Sequence, residues 1–285
     1  MQQMLPIDSS DAMTVSLSLD DTEEADTTPR ATRWPFEVAG VTHAGRVRSR
    51  NEDAYGIFPE LGLCVVADGL GGRAGGEVAS STTVGRAHRF LSEAAGKRAR
   101  GAGESAFDPG ELGAMLGSAV QHANAVVHAA GEADPRLTGM ATTFVGLLVA
   151  GSRAAIAHVG DSRAYRIREG KIERLTSDHS MRELYLKLYK ERARPEIAEQ
   201  NASIVTRAVG ARARVQAEIA EVAVEPGDVF LLCSDGLWGL VSDEEMGFAL
   251  AGASTLEAAL AKMLASAYNR GGHDNITAVL VRCPG

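Results

Sequence analysis

Leu61-Gly62-Leu63-Cys64-Val65-Val66-Ala67-Asp68-Gly69 is an apolar run that closes on a small residue, an aspartate and a second small residue, and the chain repeats this grammar twice. Ala155 to Val159 leads into Gly160-Asp161-Ser162, and Val229 to Cys233 leads into Ser234-Asp235-Gly236. Apolar runs of this length read as buried strands. The small residues after them let the backbone turn and be approached closely. Each strand therefore ends in a carboxylate. Several carboxylates gathered at one edge of a core repel one another unless a cation neutralises them, because buried unpaired charge is expensive. The pattern predicts a hard-metal site.

The flanking sequence supplies the remaining elements. Strands are expected over 36–44, 54–58 and 61–67, then helices over about 76–95 and 111–131, separated by a Gly- and Ala-rich loop at 96–110. Strands follow over 141–150, 153–159 and 164–168, with Gly151-Ser152 as a hairpin turn. Two more, over 215–224 and 229–233, are joined by Glu225-Pro226-Gly227-Asp228. Capping boxes at Ser242-x-x-Glu245 and Ser254-x-x-Glu257 announce two helices, the second ending near Asn269, and a strand over 276–282 closes the chain. Strands come in groups and helices in pairs, which favours an antiparallel α+β layered fold over a doubly wound one.

At 285 residues and 45% hydrophobic content the chain can bury the core of one large domain. A formal charge of -8 argues against a nucleic-acid partner, which calls for a basic field. Cys64, Cys233 and Cys283 are isolated from one another and read as small hydrophobes rather than a zinc or disulfide framework, as suits a reducing cytoplasm. No apolar stretch approaches the roughly 20 residues of a membrane span, and Met-Gln-Gln-Met-Leu-Pro lacks the form of a signal peptide. A cytoplasmic protein without membrane attachment is expected. Residues 1–33 are rich in Asp, Glu, Ser and Thr and read as a disordered acidic tail ahead of a domain spanning 34–285.

Glu52-Asp53 and Asp274 add further acids at segment edges, and no Cys or His cluster accompanies them. Oxygen-only donors select Mg²⁺, Mn²⁺ or Ca²⁺ over zinc. Two such ions about 3.5 to 4 Å apart would activate water at neutral pH and stabilise in-line displacement at phosphorus. A single Asp-Gly is more often a turn than a ligand; the combination is what carries the reading.

Arg48 with Asn51-Glu52-Asp53, Ala67-Asp68-Gly69-Leu70-Gly71-Gly72, Gly139-Met140-Ala141-Thr142-Thr143, Val159-Gly160-Asp161-Ser162-Arg163, Leu175-Thr176-Ser177-Asp178-His179-Ser180, Ser234-Asp235-Gly236-Leu237-Trp238 and His273-Asp274-Asn275-Ile276-Thr277 together resemble the ordered motif set of the PP2C-type (PPM) metal-dependent serine/threonine protein phosphatases, bacterial type. The resemblance implies a four-layer α-β-β-α sandwich, two antiparallel sheets flanked by helix pairs, with two or three Mn²⁺ or Mg²⁺ ions at one end. Asp68 resembles the ligand bridging the first two metals, and Gly69 the residue whose carbonyl serves the second. Asp235 and Asp274 resemble the remaining ligands of the first metal, and Asp161 that of a third. Glu52 and Asp53 are similar to the acids that hold metal-bound waters, and Asn275 is expected to orient Asp274 or a water. Arg48 resembles the arginine that grips the substrate phosphate, a task suited to a fork that is always charged.

The implied activity is hydrolysis of phosphoserine and phosphothreonine on proteins by direct attack of a metal-bridging water, opposing a serine/threonine kinase, in a monomer. The alternatives are a catalytically weak pseudophosphatase acting as a binding module, and the same chemistry on a small phosphoester. Leu70 and Arg73 stand where relatives carry a histidine, which leaves the donor of the leaving-group proton unassigned. The stretch 181–204 resembles a flap near the active site, and Arg182, Lys187, Lys190, Arg192 and Arg194 alternate there with Leu184, Tyr185, Leu188 and Tyr189 as in an amphipathic helix with a solvated basic face.

Overall fold

The computed structural model describes residues 36–70, 75–97, 106–200 and 204–284, with a two-residue strand at Met13–Thr14. The strands are β1 (Met13–Thr14), β2 (Glu37–His43), β3 (Ala54–Phe58), β4 (Leu63–Ala67), β5 (Gly69–Leu70), β6 (Ala141–Thr142), β7 (Phe144–Ala150), β8 (Arg153–Val159), β9 (Arg163–Arg168), β10 (Lys171–Arg174), β11 (Glu218–Ala223), β12 (Val229–Cys233) and β13 (Ile276–Arg282). One antiparallel sheet runs β1-β2-β13-β12-β9-β10, the other β11-β8-β7-β4-β3, and β5 pairs with β6. The helices are α1 (Gly75–Gly96), α2 (Leu112–Ala133), α3 (Met181–Tyr189), α4 (Pro195–Gln200), α5 (Asp235–Trp238), α6 (Asp243–Ala251) and α7 (Leu256–Asn269).

Strand alternation explains why the apolar runs are unbroken. Leu63, Val65 and Ala67 of β4 pack with Leu91 of α1 and Leu116 and Val120 of α2. Cys64 and Val66, pointing the other way, join Val145, Leu147, Ile156, Phe230, Leu232, Val279 and Val281 in a core between the sheets. Leu231 and Cys233 of β12 face Met246 of α6 and Leu260 and Met263 of α7. Both faces of each central strand are covered, so neither face has a use for polar residues. The result is the expected α-β-β-α order of layers.

Departures from the expected elements have local causes. The strand expected over 141–150 breaks at Thr143, whose N–H and hydroxyl turn to Asp68 instead of continuing the ladder. The strand over 215–224 shortens to Glu218–Ala223, because the preceding residues are fastened to α2: Asn124 accepts from Gly210 N–H and donates to the Arg212 carbonyl. The capping box at Ser242 and Glu245 is present, but the one expected at Ser254 is not. Thr255 caps α7 instead, accepting from Ala258 N–H at 3.2 Å. The amphipathic stretch after Ser180 is two helices: α3 stops where Lys190 turns to a φ of 46°, and Pro195, suited to the first turn of a helix, opens α4. The acidic tail over 1–33 lies outside the described residues, apart from Met13–Thr14 on the β2 edge, as does part of the loop over 96–110. No helix among the described residues is long and apolar enough to cross a membrane.

Candidate metal centre

The alternation of β4 carries through to Asp68, which follows Cys64 and Val66 on the side facing the gap between the sheets. Its backbone is fixed by the interruption between β6 and β7. Asp68 N–H donates to Thr143 Oγ1 at 2.9 Å, and the Asp68 carbonyl accepts from Thr142 Oγ1 at 2.7 Å and Thr143 N–H at 2.8 Å. Thr143 Oγ1 also lies 2.7 Å from Ser162 Oγ, so one hydroxyl pair ties the Asp68 turn to the turn that carries Asp161. Asp161 itself is buried.

Asp235 opens the single turn of α5 after β12. Ser234 N–H donates to the Thr277 carbonyl and Thr277 N–H to Ser234 Oγ, both at 3.0 Å, which fastens this turn to β13. A Cβ at Gly236 would lie 2.0 Å from the Asn275 carbonyl oxygen, so only glycine permits the approach. Asp274 stands just before β13, and Asn275 N–H donates to its Oδ1 at 2.9 Å.

The Asn275 side chain works on the loop opposite. It accepts from Glu52 N–H at 2.8 Å and donates to the carbonyls of Ala44 at 3.0 Å and Arg50 at 2.8 Å. This single amide holds the 44–52 loop so that Arg48 Nη2 donates to Asp274 Oδ2 at 2.8 Å. Next to it, Arg46 lies over the Tyr268 ring and its N–H donates to the Gly272 carbonyl at 2.8 Å. Asp53 is buried and accepts from Ser234 Oγ at 2.8 Å. Gly69 N–H donates to the Glu52 carbonyl at 3.1 Å, and a Cβ at Gly69 would meet that oxygen at 2.4 Å.

The acids strain against one another. Loss of water, then the charges of Asp53, Asp235, Asp161 and Asp274, push the Asp68 carboxyl well above the usual carboxylate range. Burial, softened by hydroxyls of Thr277 and Ser234, lifts Asp53 to about 7. Burial and then Asp235 lift Asp161 to about 7. Asp235 is raised by burial and then by Asp274. Glu52 is raised by burial, against the pull of Arg48, with Glu77 at the start of α1 adding to the rise. Among the described residues, Oδ1 of Asp53 and Oδ1 of Asp235 are buried without a donor. A set of oxygen donors that repel one another and lack protein partners is what a hard divalent cation requires.

Sequence reasoning located Asp68, Asp161, Asp235, Asp274, Glu52, Asp53, Arg48, Gly69 and Asn275 at this edge, and the fold brings them there. It assigned no role to Thr143 or Ser234, and did not single out Glu77. The first two sit in quoted motifs, but their hydrogen bonds cross between segments that the sequence separates. Glu77 is an acid in the first turn of a helix, where carboxylates are common for other reasons. Leu70 is half-buried, and Arg73 lies outside the described residues.

A second cluster, His158, His179 and Glu218, does not have the geometry of a cation site. The imidazoles stack 4.6 Å apart at 17°, so their in-plane lone pairs run side by side rather than converging. His158 Nε2 is engaged by the Ser177 carbonyl at 2.8 Å, His179 Nδ1 by Gly160 N–H at 3.2 Å, and Arg207 Nη1 stands 3.1 Å from His179 Nε2.

A family model described as Protein phosphatase 2C matches residues 39–280. The serine/threonine phosphatase stp of Listeria monocytogenes is 33% identical over 243 residues, 84% of this chain and 93% of that protein. Among solved structures, the Mycobacterium tuberculosis serine/threonine phosphatase PstP/Ppp superimposes with a TM-score of 0.76 at 31% identity, covering 88% of this chain and 99% of that one. The catalytic domain of the serine/threonine protein phosphatase PstP in complex with two manganese ions gives a TM-score of 0.73 at 32% identity, with coverage of 88% and 99%.

Proposed function

Because this chain belongs to the protein phosphatase 2C family, we propose that its cluster of strand-end carboxylates is the active centre of a metal-dependent phosphatase acting on phosphoserine and phosphothreonine in proteins. The observation that carries the proposal is the convergence of Asp68, Asp161, Asp235 and Asp274 from four separate strand ends, with Arg48 ion-paired to the last. Asp68 would be a ligand common to two Mn²⁺ or Mg²⁺ ions, with Asp235 and Asp274 completing the first and the Gly69 carbonyl serving the second, and Asp161 would serve a third. When bound, such ions acidify water and draw charge from phosphoryl oxygens.

The chain's own residues perform the positioning. A guanidinium carries five donors, and the ion pair engages Arg48 Nη2, so the fork anchored on Asp274 has further donors for phosphate oxygens. Glu52 and Asp53, held by Asn275 and Ser234, orient water around the acids. A covalent phosphocysteine is disfavoured. Cys64, Cys233 and Cys283 are buried, and burial pushes each thiol up, Cys283 to about 12. The substrates are phosphoproteins, the opposing partner is a serine/threonine kinase, and the enzyme works as a cytoplasmic monomer with residues 1–33 as an acidic extension to the domain over 34–285.

The test is hydrolysis of a phosphothreonine peptide with Mn²⁺, with chelator, and by Asp68→Asn and Asp235→Asn variants. Turnover is expected with Mn²⁺ alone, on the unsubstituted chain alone. Undiminished turnover in chelator or in both variants overturns the mechanism, and a folded protein that hydrolyses no phosphopeptide or small phosphoester would be a binding module.

A further inference from the structure

Gly160, the residue before Asp161, is gripped from two sides. Its φ is 101°, and a Cβ there would lie 2.6 Å from Thr143 Cγ2. On the other side His179 holds the same residue at two points. His179 N–H donates to the Gly160 carbonyl at 2.9 Å, and Gly160 N–H donates to His179 Nδ1 at 3.2 Å. The ring is buried and cannot drift, because it stacks on His158.

His179 also sits at the base of the excursion over 181–204. Its carbonyl accepts from Thr206 N–H at 2.7 Å. The next residue, Ser180, pairs with Val205 and caps α3 through Glu183 N–H, and Met181 N–H donates to the Ile204 carbonyl at 2.8 Å. One histidine thus touches both the turn that carries an acid and the root of the segment beside it.

We propose that His179 is a positioning residue which, through Nδ1, fixes the Gly160 peptide and so aims the Asp161 carboxylate. The proposal rests on the reading that Asp161 holds a cation. The ring chemistry agrees with it. Burial, with His158 and Arg207 beside it, lowers the imidazole to about 4, so the ring is neutral at working pH. With Nδ1 accepting from Gly160, Nε2 carries the proton and faces Glu218 Oε2 at 3.3 Å, so Arg207 Nη1, itself a donor 3.1 Å from Nε2, makes no hydrogen bond to the ring. An imidazole protonated on Nδ1 could not take the Gly160 N–H.

The side chain suggests its own controls. Asparagine presents an oxygen where Nδ1 stands, whereas glutamine reaches only toward Nε2. Mn²⁺ titration by calorimetry on the full chain, thermal melting, and the Mn²⁺ dependence of phosphopeptide turnover are to be compared for His179→Asn, His179→Gln, His179→Ala and Asp161→Asn. His179→Ala and His179→Gln are expected to weaken one class of Mn²⁺ sites about tenfold. They are also expected to raise the Mn²⁺ needed for half-maximal rate in proportion, with kcat at saturating Mn²⁺ within about twofold. His179→Asn should bind Mn²⁺ like the unsubstituted chain, and Asp161→Asn should remove that class of sites. Unchanged Mn²⁺ affinity in the glutamine and alanine variants overturns the proposal, as does weakening that is equal in the asparagine and glutamine variants, which would make the ring a packing element. Should the alanine variant fail to fold, the asparagine–glutamine comparison decides alone. An unchanged isotherm for Asp161→Asn overturns instead the reading of Asp161 as a ligand, and the inference with it.

Discussion

Asp68 and Asp235 end strands of different sheets, yet the charge of Asp235 is among those that raise the Asp68 carboxyl. Two buried carboxylates that feel each other in this way stand together only with a proton or a cation between them. Asp53 and Asp161 face the same choice, each lifted from 3.8 to about 7.

A pH dependence of the metal-free fold follows. A carboxyl whose folded value is raised stabilises the fold while protonated, and that contribution is lost as pH climbs from the unfolded value through the folded one. In chelator, the melting temperature should fall by several degrees between about pH 5.5 and pH 8, and saturating Mn²⁺ should flatten the slope. A metal-free protein that melts higher at pH 8 would contradict the repulsion described.

Arg48 should matter through its fork. Arg48→Ala is expected to lower kcat/KM on a phosphothreonine peptide roughly 10- to 100-fold, the worth of one or two charge-assisted hydrogen bonds. Arg48→Lys should recover only a small part, since a lysine cannot bond Asp274 and phosphate with one planar group. Steady-state kinetics at saturating Mn²⁺ measure both, and full activity in the lysine variant would make Arg48 a simple positive charge.

Arg163 and Asp178 form a buried bidentate pair, with bonds of 2.9 and 2.7 Å, and the guanidinium lies over Trp238. Removing either partner strands a charge, so Asp178→Asn or Arg163→Met should each cost about 3–5 kcal/mol in urea denaturation. The combined Arg163→Met, Asp178→Leu variant should lose less than the sum of the single losses. Additive losses would show that the two residues act independently.

Two glycines give opposite outcomes on the same substitution. Gly236→Ala sets a Cβ against the Asn275 carbonyl, a backbone atom that cannot swing aside, and should lower melting temperature and Mn²⁺-dependent activity together. Gly85→Ala lies on the exposed side of α1 with nothing within 4 Å of the new Cβ. It should raise stability by about 0.5–1 kcal/mol with activity unchanged. Paired thermal melts decide the matter.

The sandwich was legible because burial on both faces writes itself into β4 and β12 as unbroken apolar runs and into β8 as a run interrupted only by His158 after Arg153, and the acids were legible because each ends such a run or stands in a turn beside one. What escaped the sequence depends on contacts between distant segments. Nothing around Thr143 says that its hydroxyl will meet both Asp68 and Ser162. Nothing local to Val215 says that the residues just before it are tied to α2 rather than continuing β11. At 254 and 255 two adequate caps compete, and the choice falls to Thr255.

The bridge between Ser180 and Val205 closes the excursion over 181–204 at its neck. A stretch whose two ends meet is, in evolutionary terms, a cassette: its length and composition can be rewritten, and the entropic cost of a longer loop grows only slowly. The clustered carboxylates of Asp68, Asp161, Asp235 and Asp274 all lie outside that neck. The protein can therefore change which surfaces it presents beside its acids without re-solving the problem of holding the acids in place.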